Sequence, residues 1–91
     1  MFIAKVVGNV VATQKDEGLV GTKLLIVCPQ FEEFRKDKCV VAVDSVGAGI
    51  GETVLVVKGS SARLTDHLKS SPIDHAIIGI IDEIELDESS F

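Results

Sequence analysis

Four stretches of this chain are apolar on both faces of any strand they could form, and the chain is too short to supply helices to cover them. They are residues 24–28 (LLIVC), 40–43 (VVAV), 54–57 (VLVV) and 77–81 (IIGII). A half-buried strand alternates apolar and polar side chains. Continuous apolar strands normally belong to parallel sheets sandwiched between helices, and 91 residues leave no room for such a layer. Thirteen valines and nine isoleucines, whose branched side chains suit a pleated surface, argue for strands in any case. Apolar patches larger than roughly a few hundred Å² seldom stay exposed on monomers. The pattern therefore predicts that neighbouring copies cover the outer faces, in an obligate homo-oligomer.

Five strands are expected, over residues 2–13, 23–28, 39–44, 53–58 and 76–86. The last places Ile78, Ile80, Ile84 and Leu86 on one face, with Glu83 and Glu85 opposite. The connections carry turn chemistry: residues 14–21 are polar with two glycines, Pro29 stops the second strand, and residues 45–52 are glycine-dense. Ser60 or Ser61 can cap one short helix running to about His67, which Pro72 bounds. Five short strands with one short helix before the last make a mainly β chain, a small closed barrel. Residues 1–91 read as one domain, with an acidic tail over 83–91 that is expected to fray past Leu86.

Nine Lys and Arg against 14 Asp and Glu give a net charge of −5, the wrong sign for tracking phosphates. The chain has no Trp or Tyr and only four Phe, so it offers no platform for stacking bases. No apolar run approaches the roughly 20 residues that span a bilayer. Gly8 and Asn9 interrupt the apolar start, and no cleavage site of small residues comes after it, so a cytosolic location is expected. Cys28 and Cys39 stand too far apart for a CxxC motif or zinc half-site, and are expected to be two small buried hydrophobes.

Candidate chemistry is thin. Gly47, Gly49 and Gly51 mimic a dinucleotide fingerprint, but Glu52 and a strand stand where a helix should begin. A tight turn, or close approach of symmetry-related backbones, explains the glycines better. Asp66-His67 and Asp74-His75 are separated by Pro72, so convergence on a metal is not expected and both histidines read as loop residues. Ser60, His67 and Asp44 compose a triad only on paper, with no nucleophile elbow. Neither a cofactor nor catalysis is expected. Arg63 is expected at an interface, with Asp44, Glu52 and Asp82 as possible partners.

The chain resembles the vertex proteins of bacterial microcompartments, the family of carboxysome and ethanolamine-utilisation small shell proteins. The resemblance runs from Met1 to about Leu86 and rests on ordered stretches: AKVVG at 4–8, VATQK at 11–15, LVGTKLL at 19–25, VAVDSVGAGIGE at 41–52, GSSAR at 59–63 and PIDHAIIGIID at 72–82. It implies an OB-like barrel protomer and a cyclic homopentamer, or a six-fold ring as in some relatives. The ring would cap the vertices of a cytoplasmic shell built mainly from hexameric shell proteins. An OB-type module binding a ligand or nucleic acid without catalysis is the alternative. The interface, or a central opening, is expected at Asp44, Val46, Gly47, Ala48, Gly49, Ile50, Gly51 and Glu52. Gly59, Ser60, Ser61 and Arg63 form a second expected stretch, and Asp74, Ala76, Ile77, Gly79 and Asp82 a third.

Overall fold

A computed structural model describes residues 1–12, 17–19, 21–31, 38–59 and 74–90. Five strands occupy it: β1 (Phe2–Val10), β2 (Lys23–Pro29), β3 (Val40–Asp44), β4 (Thr53–Lys58) and β5 (His75–Ile81). They close into a barrel in the order β1-β2-β3-β5-β4. Closure leaves no full-length open edge, which a chain this rich in β-branched residues could otherwise use to aggregate. All neighbours are antiparallel except β3 and β5, whose parallel pairing joins Val43 to Ala76 and Asp44 to Ile77.

The five expected strands are all present, with two shortened. The first ends at Val10 rather than residue 13, and the last ends at Ile81 rather than 86. Pairing, not alternation, sets these ends. β4 meets β5 up to Thr53↔Ile81, so Ile84 and Leu86 have no strand to lie against. The expected helix over 60–67 lies outside the described residues.

The interior is filled by Ala4 and Val6 from β1, Leu25 and Val27 from β2, Ala42 from β3, Val54 and Val56 from β4, and Ile77 from β5. Each large one contributes about 1.5–3 kcal/mol by leaving water. A second cluster joins Val43, Val57 and Ala76 to Leu24. Successive strand side chains point to opposite faces, so Val43 beside Ala42, and Ala76 beside Ile77, are apolar residues on the barrel's other side. The two-sided pattern is thus real, and it is only partly covered within one copy. Val7, Val41, Ile78 and Ile80 are exposed, Val41 by 47%.

Cys28 and Cys39 form a disulfide, not the separate buried side chains that the sequence suggested. The cause is register. β2 and β3 are antiparallel with Val27 opposite Val40, so the next residue out on each strand is a cysteine facing a cysteine. At the other long connection, Gly59 adopts φ +69° and donates its N–H to the Asp74 carbonyl at 2.8 Å.

Candidate assembly surface

The segment from Asp44 to Glu52 joins β3 to β4 and is held by its own side chains. Asp44 Oδ1 accepts the N–H groups of Val46 at 3.0 Å and Gly47 at 3.2 Å. This is the local turn an aspartate makes with backbone two and three residues on. Gly47 sits at φ +83° and Gly51 at +93°, where an L side chain is strained. Lys23 Nζ reaches across from β2 to the Ala48 carbonyl at 2.5 Å and lies 3.9 Å from Asp44 Oδ2. Glu52 Oε1 accepts the Gly49 N–H at 2.7 Å, and the Glu52 N–H donates to the Gly49 carbonyl at 3.1 Å. Two backbone bonds pin the far end to β1: Gly51 N–H to the Val6 carbonyl, and Val6 N–H to the Glu52 carbonyl. Ser45 Oγ donates to the Ile77 carbonyl at 2.7 Å.

The result is a stiff loop that presents two apolar side chains. Val46 is exposed, and Ile50 by 61%. The Asp44 carboxylate is turned inward, its side chain 2% exposed, whereas Glu52 stays exposed together with Val46 and Ile50. Asp44 and Glu52, expected as possible partners for Arg63, are already engaged within the loop and by Lys23.

The expected interface residues divide clearly. Ala48, Ala76 and Ile77 are fully buried in their own protomer; alternation turns Ile77 into the barrel and Ala76 to its other side, among Val43 and Val57. Val46, Ile50, Glu52, Asp74 and Asp82 are exposed, and Gly79 is half-buried. At Gly49 an added Cβ would meet only Glu52 Oε1, at 3.4 Å, and at Gly47 and Gly51 nothing within 4 Å. Within the protomer Gly47 and Gly51 therefore serve backbone conformation, not close packing. Ser60, Ser61 and Arg63, with His67, lie outside the described residues.

His75 also differs from expectation. It opens β5 as a half-buried residue rather than lying in an exposed loop, its Nδ1 3.1 Å from Asp74 Oδ1 and its ring edge-on to Phe2. Sequence reasoning missed Lys23 and Ser45, the two side chains that tie the loop to the barrel; a lone lysine opening an apolar strand was the available signal.

Residues 1–82 match the family described as "Ethanolamine utilisation protein EutN/carboxysome". The chain belongs to the EutN/CcmL family. It is 49% identical over 86 residues to the bacterial microcompartment shell vertex protein GrpN of Rhodospirillum rubrum, covering 93% of this chain and 97% of that one. It is 46% identical over 85 residues to the shell vertex protein EutN of Salmonella typhimurium, covering 92% and 86%. The solved structure of CcmL from Nostoc sp. superposes with a TM-score of 0.85 at 49% identity, covering 92% of each chain. That of GrpN, described as a pentameric microcompartment shell protein, gives 0.81 at 46% identity, covering 96% and 99%. These EutN/CcmL relatives are shell proteins by name, and their barrel is this barrel.

Proposed function

We propose that this EutN/CcmL protein is a structural vertex subunit of a bacterial microcompartment shell in the cytoplasm. Five copies form a ring that closes the corners of a polyhedron tiled mainly by hexameric shell proteins. A flat sheet of six-fold tiles needs five-fold units to close. The observation that carries the reading is the outward apolar surface on a five-stranded barrel whose relatives are vertex proteins. Val46 and Ile50 on the stiff loop, and Ile78 and Ile80 on β5, are the protomer's own candidates for contact. In a ring each patch meets a different patch on the next copy. Gly59, Ser60, Ser61, Arg63, Asp74, Gly79 and Asp82 are assigned to that surface on family resemblance. The chain works by shape and has no catalytic role.

Native mass spectrometry tests the ring: five copies of the 9.7 kDa chain weigh about 49 kDa. Co-expression with a hexameric shell protein tests the role, by whether closed polyhedra form only when this chain is present. Monomer alone at micromolar concentration refutes the proposal.

A further inference from the structure

The outer face of the barrel carries one row of chemistry that the shell role does not use. Lys5 of β1 lies between the core residues Ala4 and Val6, and Cys28 of β2 follows the core residue Val27. Strand side chains alternate between faces, so Lys5 and Cys28 both point outward. The register sets them directly opposite each other, on the regular side of the β1 irregularity, which begins beyond Val6. Side chains paired in this way have Cβ atoms about 4.5–5.5 Å apart, within reach of an ammonium on a lysine stem. Cys39, bonded to Cys28, extends the row toward β3. Lys38, which precedes it in the chain, is exposed. One lysine thus faces the bond across the sheet, and a second adjoins it along the chain.

The sheet is complete without this bond. The β2–β3 ladder runs from Lys23↔Asp44 to Val27↔Val40 and stops short of both cysteines. Among the described residues, the two apolar clusters form without either of them. The bond is therefore a clasp added beyond the last rung, and the barrel has its core and its pairing in either redox state. The two sulfurs differ in access. Cys28 is 5% exposed, whereas Cys39 is half-buried. A cation beside a sulfur favours its thiolate, and a more stable thiolate is the faster leaving group in exchange.

We infer that Cys28 and Cys39 form a reversible exchange site for small monothiols, attacked at Cys39, with Cys28 leaving as the thiolate beside Lys5. A thiolate RS⁻ attacks Cys39 Sγ. The R–S–Sγ bond forms, the Cys39–Cys28 bond breaks, and the electron pair leaves on Cys28 Sγ, which then takes a proton from water. A second RS⁻ attacks the R sulfur of the mixed disulfide, forming RSSR and releasing the Cys39 thiolate, which is protonated in turn. In sum the protein disulfide and two RSH give two cysteine thiols and RSSR. The protein gains two electrons and the monothiols lose two, and RSSR drives the reverse. The clasp at the end of the β2–β3 pair thereby opens or closes with the thiol poise around the protein. Only the cytoplasmic setting, where thiols are kept reduced, rests on the shell role proposed above. The exchange needs one chain, so its failure leaves the ring standing.

Glutathione, reduced and oxidised, is the probe. The full chain, starting either as dithiol or as disulfide, is held in buffers of graded glutathione ratio, quenched in acid, alkylated and weighed by mass spectrometry. Both starting forms are expected to reach the same ratio of dithiol to disulfide. The mixed disulfide trapped by the quench is expected to map to Cys39. Lys5→Met is expected to slow reduction of the bond about threefold, and Lys5→Arg to restore the rate, with circular dichroism unchanged in both. Three results each overturn the proposal: a bond that glutathione reduces only in unfolding urea, a mixed disulfide that maps to Cys28, or a Lys5→Met chain reduced at the unaltered rate. If Lys5→Met disturbs the fold, the two-way titration and the mapped sulfur decide.

Discussion

Removing the bond between Cys28 and Cys39 should cost this domain a large part of its stability, and the size of the loss is set by its place in the chain. The bond closes a loop with a sequence separation of 11. Chain-entropy arithmetic for ~11 residues gives about 9.3 cal/mol/K, or about 2.8 kcal/mol at 25 °C. For a domain of this size each kcal/mol moves Tm by roughly 4–8 °C, so the loss should be about 11–22 °C. The assay is thermal unfolding by circular dichroism of the oxidised protein, the same protein in excess reductant, and the Cys28→Ser/Cys39→Ser variant. Protomer concentration is held fixed, because a ring stabilises its subunits by mass action. The last two samples should melt together, well below the first. The reasoning is refuted if all three share one Tm while mass spectrometry finds the bond intact in the first. The cytoplasm keeps most thiols reduced, so a chain purified under reductant should resemble the serine variant until it is oxidised.

Leu25→Ala, which empties a fully buried site in the barrel, should cost about 2–5 kcal/mol, read from the denaturation midpoint in urea. Gly51→Ala should cost about 1–2 kcal/mol, because φ +93° strains an L residue although nothing blocks the Cβ. Gly49→Ala has no such backbone penalty and should cost less; equal losses in chemical denaturation would contradict the conformational argument. Ile50→Asp should abolish ring formation in native mass spectrometry without changing the circular dichroism spectrum, since Ile50 is outside the core. The turn at Glu88–Ser90 should open in acid. Hydrogen bonds from the Ser89 and Ser90 hydroxyls and then the Ser89 amide hold the Asp87 carboxyl below its usual range. A lowered folded value means the ionised form supports the turn: its contribution is present above the ordinary aspartate range and fades as pH falls through the depressed value. Amide shifts of Ser89 and Ser90 followed by NMR from pH 6 to about 2 should report one transition below that of a free aspartate.

Much of the barrel was readable because its strands announce themselves twice, by β-branched content and by apolar runs bounded with glycine and proline. The strands could be located on that basis, but their faces could not be assigned, whether at Leu25, Val54 and Val56 or at Ala76 and Ile77, because both neighbours in an apolar run look alike and only the register against the adjoining strands assigns the faces. The same register explains the missed disulfide: separation along the chain says little about distance until β2 and β3 are known to run side by side. The loop at 44–52 was legible as a turn through its glycines. Its fastenings to Lys23 and to the backbone of Val6 come from residues some 25 to 46 positions away, which no local pattern encodes.

The hydrogen bond from Gly59 to Asp74 gives the barrel a tied-off neck. Gly59 and Asp74, with fourteen residues between them in the sequence, meet at that bond. Loop-closure entropy grows slowly with added length, so the barrel can carry a foreign peptide grafted between these ends, provided that the splice leaves Gly59 to Arg63 and Asp74, assigned above to the ring contact, in place. A sequence spliced in there would hang from the wall as a pendant, repeated once per subunit around the corner of a capsule.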